Sequence, residues 1–271
     1  MEATSPARSG PGAANPAVAP VVTWVGHATA LVDIGGFRIL TDPLLTTRVA
    51  HLRRRVGPAL ADVADVDVVL LSHVHMDHLH VRSLRRVRPG AVVLAPRGSA
   101  RLVRKLGFED VREVGPGERV DVGGATIVVV EAHHSHRRGP HSRIEAPAVG
   151  YVVEAEGTRV YFAGDTDLFD GMRDLGDIDL ALVPIWGWGP SADVGHLDPS
   201  RAAEAVDRIR PRLVVPIHWG TFTPESGRRR LPRWFDAPAP AFVDALDALG
   251  HGDRLDLVEP GGAVSLERPA R

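Results

Sequence analysis

Four potential metal ligands crowd into one short segment, Ser72-His73-Val74-His75-Met76-Asp77-His78-Leu79. His73 and His75 are two residues apart, so in extended backbone both imidazoles point to the same side. Asp77 and His78 follow where the chain turns towards the next helix. A single tetrahedral cation uses only part of this set, which therefore favours two adjacent cations. A histidine-rich surface loop is the alternative interpretation, and the specific order of ligand types argues against it.

The order His-x-His-x-Asp-His resembles the hallmark of the metallo-β-lactamase superfamily, in which further ligands follow later strands. Three later segments match that pattern in order, and they contain His133, Asp165 and His218, each at the end of a predicted strand. The resemblance implies a dinuclear centre with one metal on His73, His75 and His133, the second on Asp77, His78 and His218, and Asp165 as the bridge.

The third ligand of the first metal is chosen from a run of histidines, Ala132-His133-His134-Ser135-His136-Arg137. The family pattern His-x-Ser-x-Arg selects His133, which is therefore the prediction. His134 and His136 remain competitors, because the same short run offers three imidazoles.

Further motifs resemble the branch that contains N-acyl-phosphatidylethanolamine phospholipase D and L-ascorbate-6-phosphate lactonase, with the phospholipase as the closer match. The resemblance covers about residues 21 to 225 and departs at the N-terminus and over Arg137–Ala146, where substrate would be selected. The matching motifs are Val22–Thr29, Leu40–Pro43, Gly164–Thr166, His196–Pro199 and His218–Phe222.

Two cations about 3.5–4 Å apart can hold a bridging hydroxide at neutral pH and polarise a substrate oxygen. That hydroxide is the predicted nucleophile, and Asp77 could align it while also binding metal. No Gly-x-Ser-x-Gly elbow is present, so a serine nucleophile is not indicated. Imidazole and carboxylate ligands favour zinc, with manganese or iron as alternatives.

Three residues outside the ligand set are candidates for supporting roles. By resemblance, Asp42 is a carboxylate that orients a metal-binding histidine, and the alternative is a turn residue before Pro43. His27 could approach the metals, although a structural hydrogen bond in its tight turn is the favoured interpretation. His196 is the candidate for contacting substrate or donating a proton to the leaving group, and its alternative is a helix-entry histidine with no catalytic part.

Arginines and tryptophans near the predicted site are candidates for binding substrate. Arg137, Arg138 and Arg143 crowd the segment after His133 and could clamp a phosphate, although a solvated charged surface is the slightly favoured interpretation. Trp186 and Trp188 could form an aromatic pocket wall or pack against the edge of the sheet.

Hydrolysis of a phosphodiester, lipid-like or nucleotide-like, is the leading functional hypothesis. Hydrolysis of a lactone or another carboxylic ester is the alternative, because the same hydroxide attacks a carbonyl as readily as phosphorus. Hydrolysis of β-lactams is a weaker third possibility. A non-catalytic metal-binding or redox protein is the remaining hypothesis, and the retained hydrolase ligand set argues against it.

Short apolar runs predict the elements that position these residues. The early part of the chain is dominated by strands, and later strands alternate with helices, which fits an α/β protein. The motifs, rather than this pattern, specify a four-layer αββα sandwich, the metallo-β-lactamase fold. The predicted strands are Val21–Val25, Ala30–Ile34, Phe37–Thr41, Val66–Leu71, Ala91–Ala95, Ala125–Val130, Ala148–Glu154, Arg159–Ala163, Leu180–Val183, Leu213–Ile217, Leu255–Val258 and Ala263–Leu266. The predicted helices are Leu79–Val87, Arg101–Leu106, Pro199–Ile209 and Ala241–Leu249, and Arg48–Gly57 is predicted as an exposed loop.

Composition limits the remaining function classes. The chain has 271 residues, a formal net charge of −2 and no cysteine. Lack of cysteine excludes disulfides and thiolate ligands and fits a cytoplasmic location. The near-neutral charge indicates neither nucleic acid nor an anionic membrane as partner. The expected partner is a small-molecule or lipid-like ester, and a homo-oligomer stays open.

The first twenty residues differ in composition from the rest of the chain. Residues 1–20 are rich in Ala, Pro, Gly and Ser and lack the apolar core of a signal peptide, so a disordered tail is predicted. Residues 21–271 are predicted to form one hydrolase domain. No run of apolar residues approaches the length of a transmembrane helix.

Overall fold

The structure is a computed structural model that describes residues 19–57, 63, 65–139, 142–187, 195–225 and 231–266. The predicted tail, apart from its last two residues, and Trp188 lie outside these ranges. The strands are β1 (Val21–Gly26), β2 (Thr29–Ile34), β3 (Phe37–Thr41), β4 (Arg48–Val49), β5 (Leu52–Arg54), β6 (Val68–Leu70), β7 (Val92–Pro96), β8 (Asp110–Val114), β9 (Arg119–Val122), β10 (Ala125–Glu131), β11 (Val149–Ala155), β12 (Thr158–Phe162), β13 (Leu180–Pro184), β14 (Leu213–Ile217), β15 (Phe222–Pro224) and β16 (Ala263–Ser265). The α-helices are α1 (Val81–Leu84), α2 (Ala100–Val103), α3 (Pro199–Ile209) and α4 (Pro238–Ala248).

Two large sheets form the centre of the fold. One has seven strands in the order β16-β1-β2-β3-β6-β7-β8, and the other has six in the order β14-β13-β12-β11-β10-β9. Their facing side chains belong to one buried cluster, which includes Trp24 and Ile39 of the first sheet and Tyr151 and Phe162 of the second. Apolar surface removed from water between the sheets is the main stabilising contribution of such a sandwich.

Helices cover the outer faces of both sheets. Leu84 of α1 and Val103 of α2 are buried with Val69 and Val93 of the first sheet in a second apolar cluster. All five residues of β13 are buried, so both faces of the second sheet are covered there, and α3 and α4 share its apolar cluster. The predicted four-layer αββα arrangement of the metallo-β-lactamase fold is confirmed.

The start of α3 follows the predicted capping pattern. The side chain of Asp198 accepts a hydrogen bond from the backbone N–H of Arg201 at 2.8 Å, and Pro199 occupies the first helical position. This cap satisfies one of the helix donors that lack an intrahelical partner. Among the described residues no helix is long and apolar enough to cross a membrane, and α3 and α4 have only 11 residues each.

Most predicted strands and helices are present within one or two residues of their expected bounds, and four differ. The helix expected at Arg101–Leu106 is α2, which ends at Val103 and is followed by a 3-10 turn over Arg104–Leu106. The helix expected at Leu79–Val87 is reduced to α1, since Arg86 and Val87 donate to carbonyls three residues back. Leu255–Val258 is not a strand, because only Leu255 forms a bridge to the edge strand β14. The helix expected at Ala241–Leu249 begins earlier, at Pro238, whose fixed φ suits a helix start.

The segment predicted as an exposed loop, Arg48–Gly57, is partly a strand pair. It contains β4 and β5, which form a small sheet with β15. Arg54 in β5 is buried. The loop prediction is wrong over β4 and β5, because an arginine-rich stretch favours solvent exposure, whereas this guanidinium donates to buried backbone carbonyls.

Candidate metal centre

The candidate ligands lie at one edge of the two sheets because their strands run in the same direction. β3, β6, β7 and β8 are mutually parallel, as are β12, β13 and β14. The carboxyl ends of parallel strands meet at one edge of a sheet, where α/β proteins place their sites. The residues that follow these strands at that edge are Asp42 after β3, His73 after β6, Asp165 after β12, Trp186 after β13 and His218 after β14.

Three imidazoles form the first donor cluster, which we call cluster 1: His73, His75 and His134. His73 Nε2 lies 2.9 Å from His75 Nδ1, and His134 Nε2 lies 3.1 Å from the same atom. Their ligand atoms all lie within 4.8 Å of one another. Three imidazole nitrogens at this spacing match the protein ligands of a zinc site with an open fourth position.

The structure places His134, and not the predicted His133, with the other imidazoles of cluster 1. The side chain of His133 is 54% exposed and its Nε2 lies 3.9 Å from Glu131. The backbone N–H of His133 donates to Thr166 Oγ1 at 2.9 Å, and its carbonyl accepts from Asp167 N, also at 2.9 Å. These bonds fix the backbone just after β10, where the side chains of His133 and His134 point to opposite sides.

His134 is held facing cluster 1 by a bond from its other ring nitrogen. His134 Nδ1 donates to the carbonyl of Gly195 at 2.7 Å, which leaves Nε2 directed at His75. The competitor His136 is exposed and belongs to none of the donor groups among the described residues. The order of the run could not distinguish these histidines, because Gly195 is distant in sequence.

Four buried or half-buried groups form the second donor cluster, which we call cluster 2: His27, Asp77, His78 and His218. His218 Nε2 lies 3.3 Å from His78 Nε2, and His78 Nε2 lies 3.7 Å from Asp77 Oδ2. His27 approaches this cluster directly, with its Nε2 3.0 Å from Asp77 Oδ2. The three predicted ligands of the second metal therefore lie together, with one further imidazole beside them.

Backbone conformation places His27 and His218 against each other. Both residues are in the left-handed region, with φ of 55° and 65°, which is uncommon for residues other than glycine. The backbone N–H of His218 donates to the carbonyl of His27 at 3.0 Å, and the two ring centroids are 3.9 Å apart. His218 Nδ1 donates to the carbonyl of Trp186 at 2.7 Å, so its Nε2 faces the cluster.

Asp165 lies between the two clusters, since it also forms a donor group with His134 of cluster 1 and with His196, in which the ligand atoms lie within 4.8 Å of one another. Its Oδ2 is 3.2 Å from His78 Nε2, 3.3 Å from His218 Nε2 and 3.4 Å from His196 Nε2. Its Oδ1 is buried and has no hydrogen-bond partner among the described residues. A buried carboxylate oxygen without a partner is costly, and a cation at this point would supply one.

Asp42 orients histidines of both clusters. Its Oδ2 accepts a bond from His78 Nδ1 at 2.7 Å and another from Ser72 Oγ at 2.5 Å. Ser72 Oγ in turn lies 2.9 Å from His73 Nδ1. The contacts leave the Nε2 atoms of both histidines free to face a metal, which supports the orienting interpretation of Asp42. Ser72 was not singled out in the sequence, although it directly precedes the first histidine.

Burial keeps most of these imidazoles neutral. It lowers the pKa of His27 to about 3 and that of His134 to about 4. It also lowers the pKa of His73 well below its ordinary value, and that of His75. Neutral imidazole is the form that binds metal.

The carboxylates stay ionised in spite of burial. Burial opposes ionisation of Asp77 and Asp165, but neighbouring His78 and His218 outweigh it and hold both pKa values well below the ordinary range. Burial also opposes a proton on His78, yet the surrounding carboxylates raise its pKa. Buried ionised carboxylates in proteins are paired with a positive charge or bind a metal.

The donor set fits divalent cations. Imidazole nitrogens face each other at 2.9–3.3 Å, close enough for a single cation to bind more than one of them. Neutral nitrogens and ionised carboxylate oxygens are the donors that zinc, manganese and iron accept. The residues that would hold them are those of clusters 1 and 2 with Asp165.

The residues predicted to contact substrate lie in different surroundings. Arg137 is paired with Glu145, at 3.0 Å from Nε and 2.9 Å from Nη2. Arg138 donates to backbone carbonyls of the metal motif, and Arg143 is exposed. Trp186 lines a cleft beside His218. Aromatic residues that the sequence did not single out also line this cleft: Trp219, Phe222, Trp234 and Phe235.

His196 lies close to Asp165 at the candidate metal centre. Its Nε2 is 3.4 Å from Asp165 Oδ2, and its ring centroid is 4.5 Å from that of His134. Its Nδ1 is buried without a hydrogen-bond partner among the described residues. Burial opposes a proton on this imidazole, but Asp165 outweighs it and raises the pKa of His196.

Comparisons with known proteins show that the chain is similar to metal-dependent hydrolases. A profile of the β-lactamase superfamily domain matches residues 37–219. The chain is 33% identical over 245 residues to a UPF0173 metal-dependent hydrolase from Methanopyrus kandleri, covering 89% of this chain and 97% of the relative. It is 32% identical over 226 residues to N-acyl-phosphatidylethanolamine-hydrolyzing phospholipase D 1 from Caenorhabditis elegans, covering 74% of this chain and 64% of the relative.

Solved structures share the fold. A metallo hydrolase from Ignicoccus hospitalis superposes with a TM-score of 0.70 at 24% identity, covering 93% of this chain and 100% of the other. An isothiocyanate hydrolase from Delia radicum gut bacteria superposes with a TM-score of 0.69 at 17% identity, covering 90% and 98%. At these identities the likeness concerns the fold alone.

Proposed function

We propose that this chain, which belongs to the β-lactamase superfamily, is a dinuclear hydrolase that acts most readily on a phosphodiester. Its similarity to a metal-dependent hydrolase supports the assignment as a hydrolase. The observation that carries the proposal is the position of Asp165 between cluster 1 and cluster 2. When bound, two divalent cations supply a hydroxide nucleophile at neutral pH and polarise the ester oxygen. Zinc suits these donors best, with manganese or iron as alternatives.

The protein residues hold and align the reacting groups. Asp77 is fixed by His27 at 3.0 Å, which sets the direction of its carboxylate in cluster 2. His196, beside Asp165, is placed to donate a hydrogen bond to the leaving oxygen of the substrate. Trp186, beside His218, provides apolar surface next to cluster 2 for an apolar part of the substrate.

Similarity to a phospholipase D supports a phosphodiester substrate. The relative from Caenorhabditis elegans hydrolyses N-acyl-phosphatidylethanolamine according to its name, and the alignment covers 74% of this chain. Arg143 is an exposed cation near the His134 segment that could meet a phosphate. A small or lipid-like diester is therefore the proposed substrate class.

A lactone or another carboxylic ester is the second candidate. The observation that favours it is the pairing of Arg137 with Glu145, which neutralises one of the cations expected to clamp a phosphate. A neutral ester needs no such clamp, and the same ligands serve attack on a carbonyl.

The two substrates are separated by measuring turnover of bis(p-nitrophenyl) phosphate and a simple lactone side by side. Each assay is run with zinc and with manganese, and Asp165→Asn is the blank. Diester turnover that is lost in the blank supports the phosphodiesterase proposal. Lactone turnover alone assigns the chain to carboxylic-ester hydrolysis, and no turnover of either overturns both candidates.

A further inference from the structure

The chain after His134 folds back so that Ala146 lies beside His136, and we call this the folded-back segment. It lies against the metal motif. The backbone N–H of Arg138 donates to the carbonyl of Ile144 at 3.0 Å, and that of Ala146 donates to the carbonyl of His136 at 2.8 Å. Arg137 and Glu145 form an antiparallel bridge between the same two strands of chain. The backbone at Arg138 is therefore held by its own bond to Ile144 and by the bond that joins His136 to Ala146.

Arg138 contacts both ends of the loop that carries three of the metal donors. Its Nη1 donates to the carbonyl of Val74 at 2.8 Å and to the carbonyl of Leu79 at 3.2 Å. His75, Asp77 and His78 lie between these two carbonyls in sequence. One guanidinium nitrogen thus connects the beginning and the end of the donor loop.

Apolar packing supports the same connection. Val74 and Leu79 are fully buried and share an apolar cluster with Ala146 of the folded-back segment. The guanidinium of Arg138 is partly buried, and this burial lowers its pKa, an effect that the charge of Asp77 opposes. Charged donors to backbone carbonyls make stronger hydrogen bonds than neutral ones.

We propose that Arg138 is a positioning residue that fastens the His75–His78 donor loop to the segment bearing His134, so that donors of both clusters are held at metal-binding distance. The inference rests on the proposed metal centre. It also assigns Arg138 a different role from its neighbour Arg137, whose guanidinium pairs with Glu145 of the same segment. Removing an outer partner of metal ligands typically lowers metal affinity about 10–100-fold.

The test compares zinc affinity in Arg138→Ala, Arg138→Lys and the matched control Arg137→Ala. Protein is stripped with a chelator, and zinc is returned in competition with a chromogenic chelator. Thermal unfolding of each stripped variant is measured in parallel. We expect Arg138→Ala to lose at least tenfold in zinc affinity and Arg137→Ala to match the wild type. If stripped Arg138→Ala is unfolded at the assay temperature, Arg138→Lys takes its place, and unchanged affinity there counts against the proposal.

Two results would overturn the inference while leaving the metal centre intact. A lower melting temperature with wild-type zinc affinity would make Arg138 a purely structural residue. Wild-type zinc affinity with a raised KM for bis(p-nitrophenyl) phosphate, but not for a lactone, would make it an anion clamp. A wild-type chain that takes up no zinc would overturn the proposed metal centre, and this inference with it.

Discussion

Asp42 Oδ2 accepts the Nδ1 proton of His78 at 2.7 Å, and both side chains are fully buried. The same oxygen accepts a bond from Ser72 Oγ, which lies 2.9 Å from His73 Nδ1. One carboxylate therefore orients a histidine of cluster 1 through a hydroxyl and a histidine of cluster 2 directly. This arrangement fixes the tautomer of both rings, with Nε2 as the metal-facing atom.

Replacing Asp42 should weaken metal binding at both clusters. Both oxygens of Asp42 accept hydrogen bonds. Asp42→Asn removes the negative charge and turns one of these oxygens into an NH2 donor, so we expect zinc affinity to fall about 10–100-fold. Ser72→Ala breaks only the path to His73 and should have the smaller effect. Competition with a chromogenic chelator measures both. Equal losses of zinc affinity in the two variants would contradict the view that Asp42 orients His78 directly and His73 only through Ser72.

His134, rather than His133, should be required for metal at cluster 1. His134→Ala removes one of three imidazoles there, and we expect the zinc content per chain to fall by about one equivalent of the two proposed. His133→Ala is the matched control, because it removes an adjacent imidazole whose ring is largely exposed. Elemental analysis after dialysis measures the content. Loss of metal from His133→Ala with none from His134→Ala would reverse the assignment.

Arg54 should contribute to stability well beyond an ordinary surface arginine. Its guanidinium donates to the buried carbonyls of Val25 and Leu44 and lies 4.7 Å from the ring centroid of Phe222. Arg54→Ala leaves these carbonyls without their donor, so we expect the free energy of unfolding to fall by about 2–4 kcal/mol. Exposed Arg53 is the control, with a change of about 0.5 kcal/mol or less on Arg53→Ala. Urea unfolding of the two variants checks the difference, and similar values would refute the role of Arg54.

The fold and most of the candidate site could be predicted because short motifs, and their order along the chain, are enough to indicate both. His73 and His75 share a side of one extended segment, whereas Asp165 and His218 are expected as ligands through the resemblance to the metallo-β-lactamase superfamily. The parallel strands of the structure explain why these residues meet at one edge. The choice between His133 and His134 could not be made in the same way. It depends on which neighbouring side chain turns inwards, and that is decided by bonds to Thr166 and Gly195.

The same limit applies to the arginines. Arg54, Arg137 and Arg138 are equally charged in the sequence, but their roles follow from the carbonyls and carboxylates that tertiary structure brings to each. A charged residue in an arginine-rich stretch carries no local sign of burial, so the strand pair at 48–54 was predicted as a loop. In each case the role of the arginine is determined by tertiary contacts that its neighbours in the sequence do not reveal.

The dinuclear centre is tested most directly by counting metal ions in the wild type and in Asp165→Asn. Both proteins are stripped, exposed to excess zinc, dialysed and analysed for zinc per chain. We expect about two ions per wild-type chain and one or fewer in the variant, because Asp165 lies between the clusters and is the proposed bridge. A wild-type chain that holds no zinc, or a variant that still holds two ions as tightly, would contradict the proposed bridged centre.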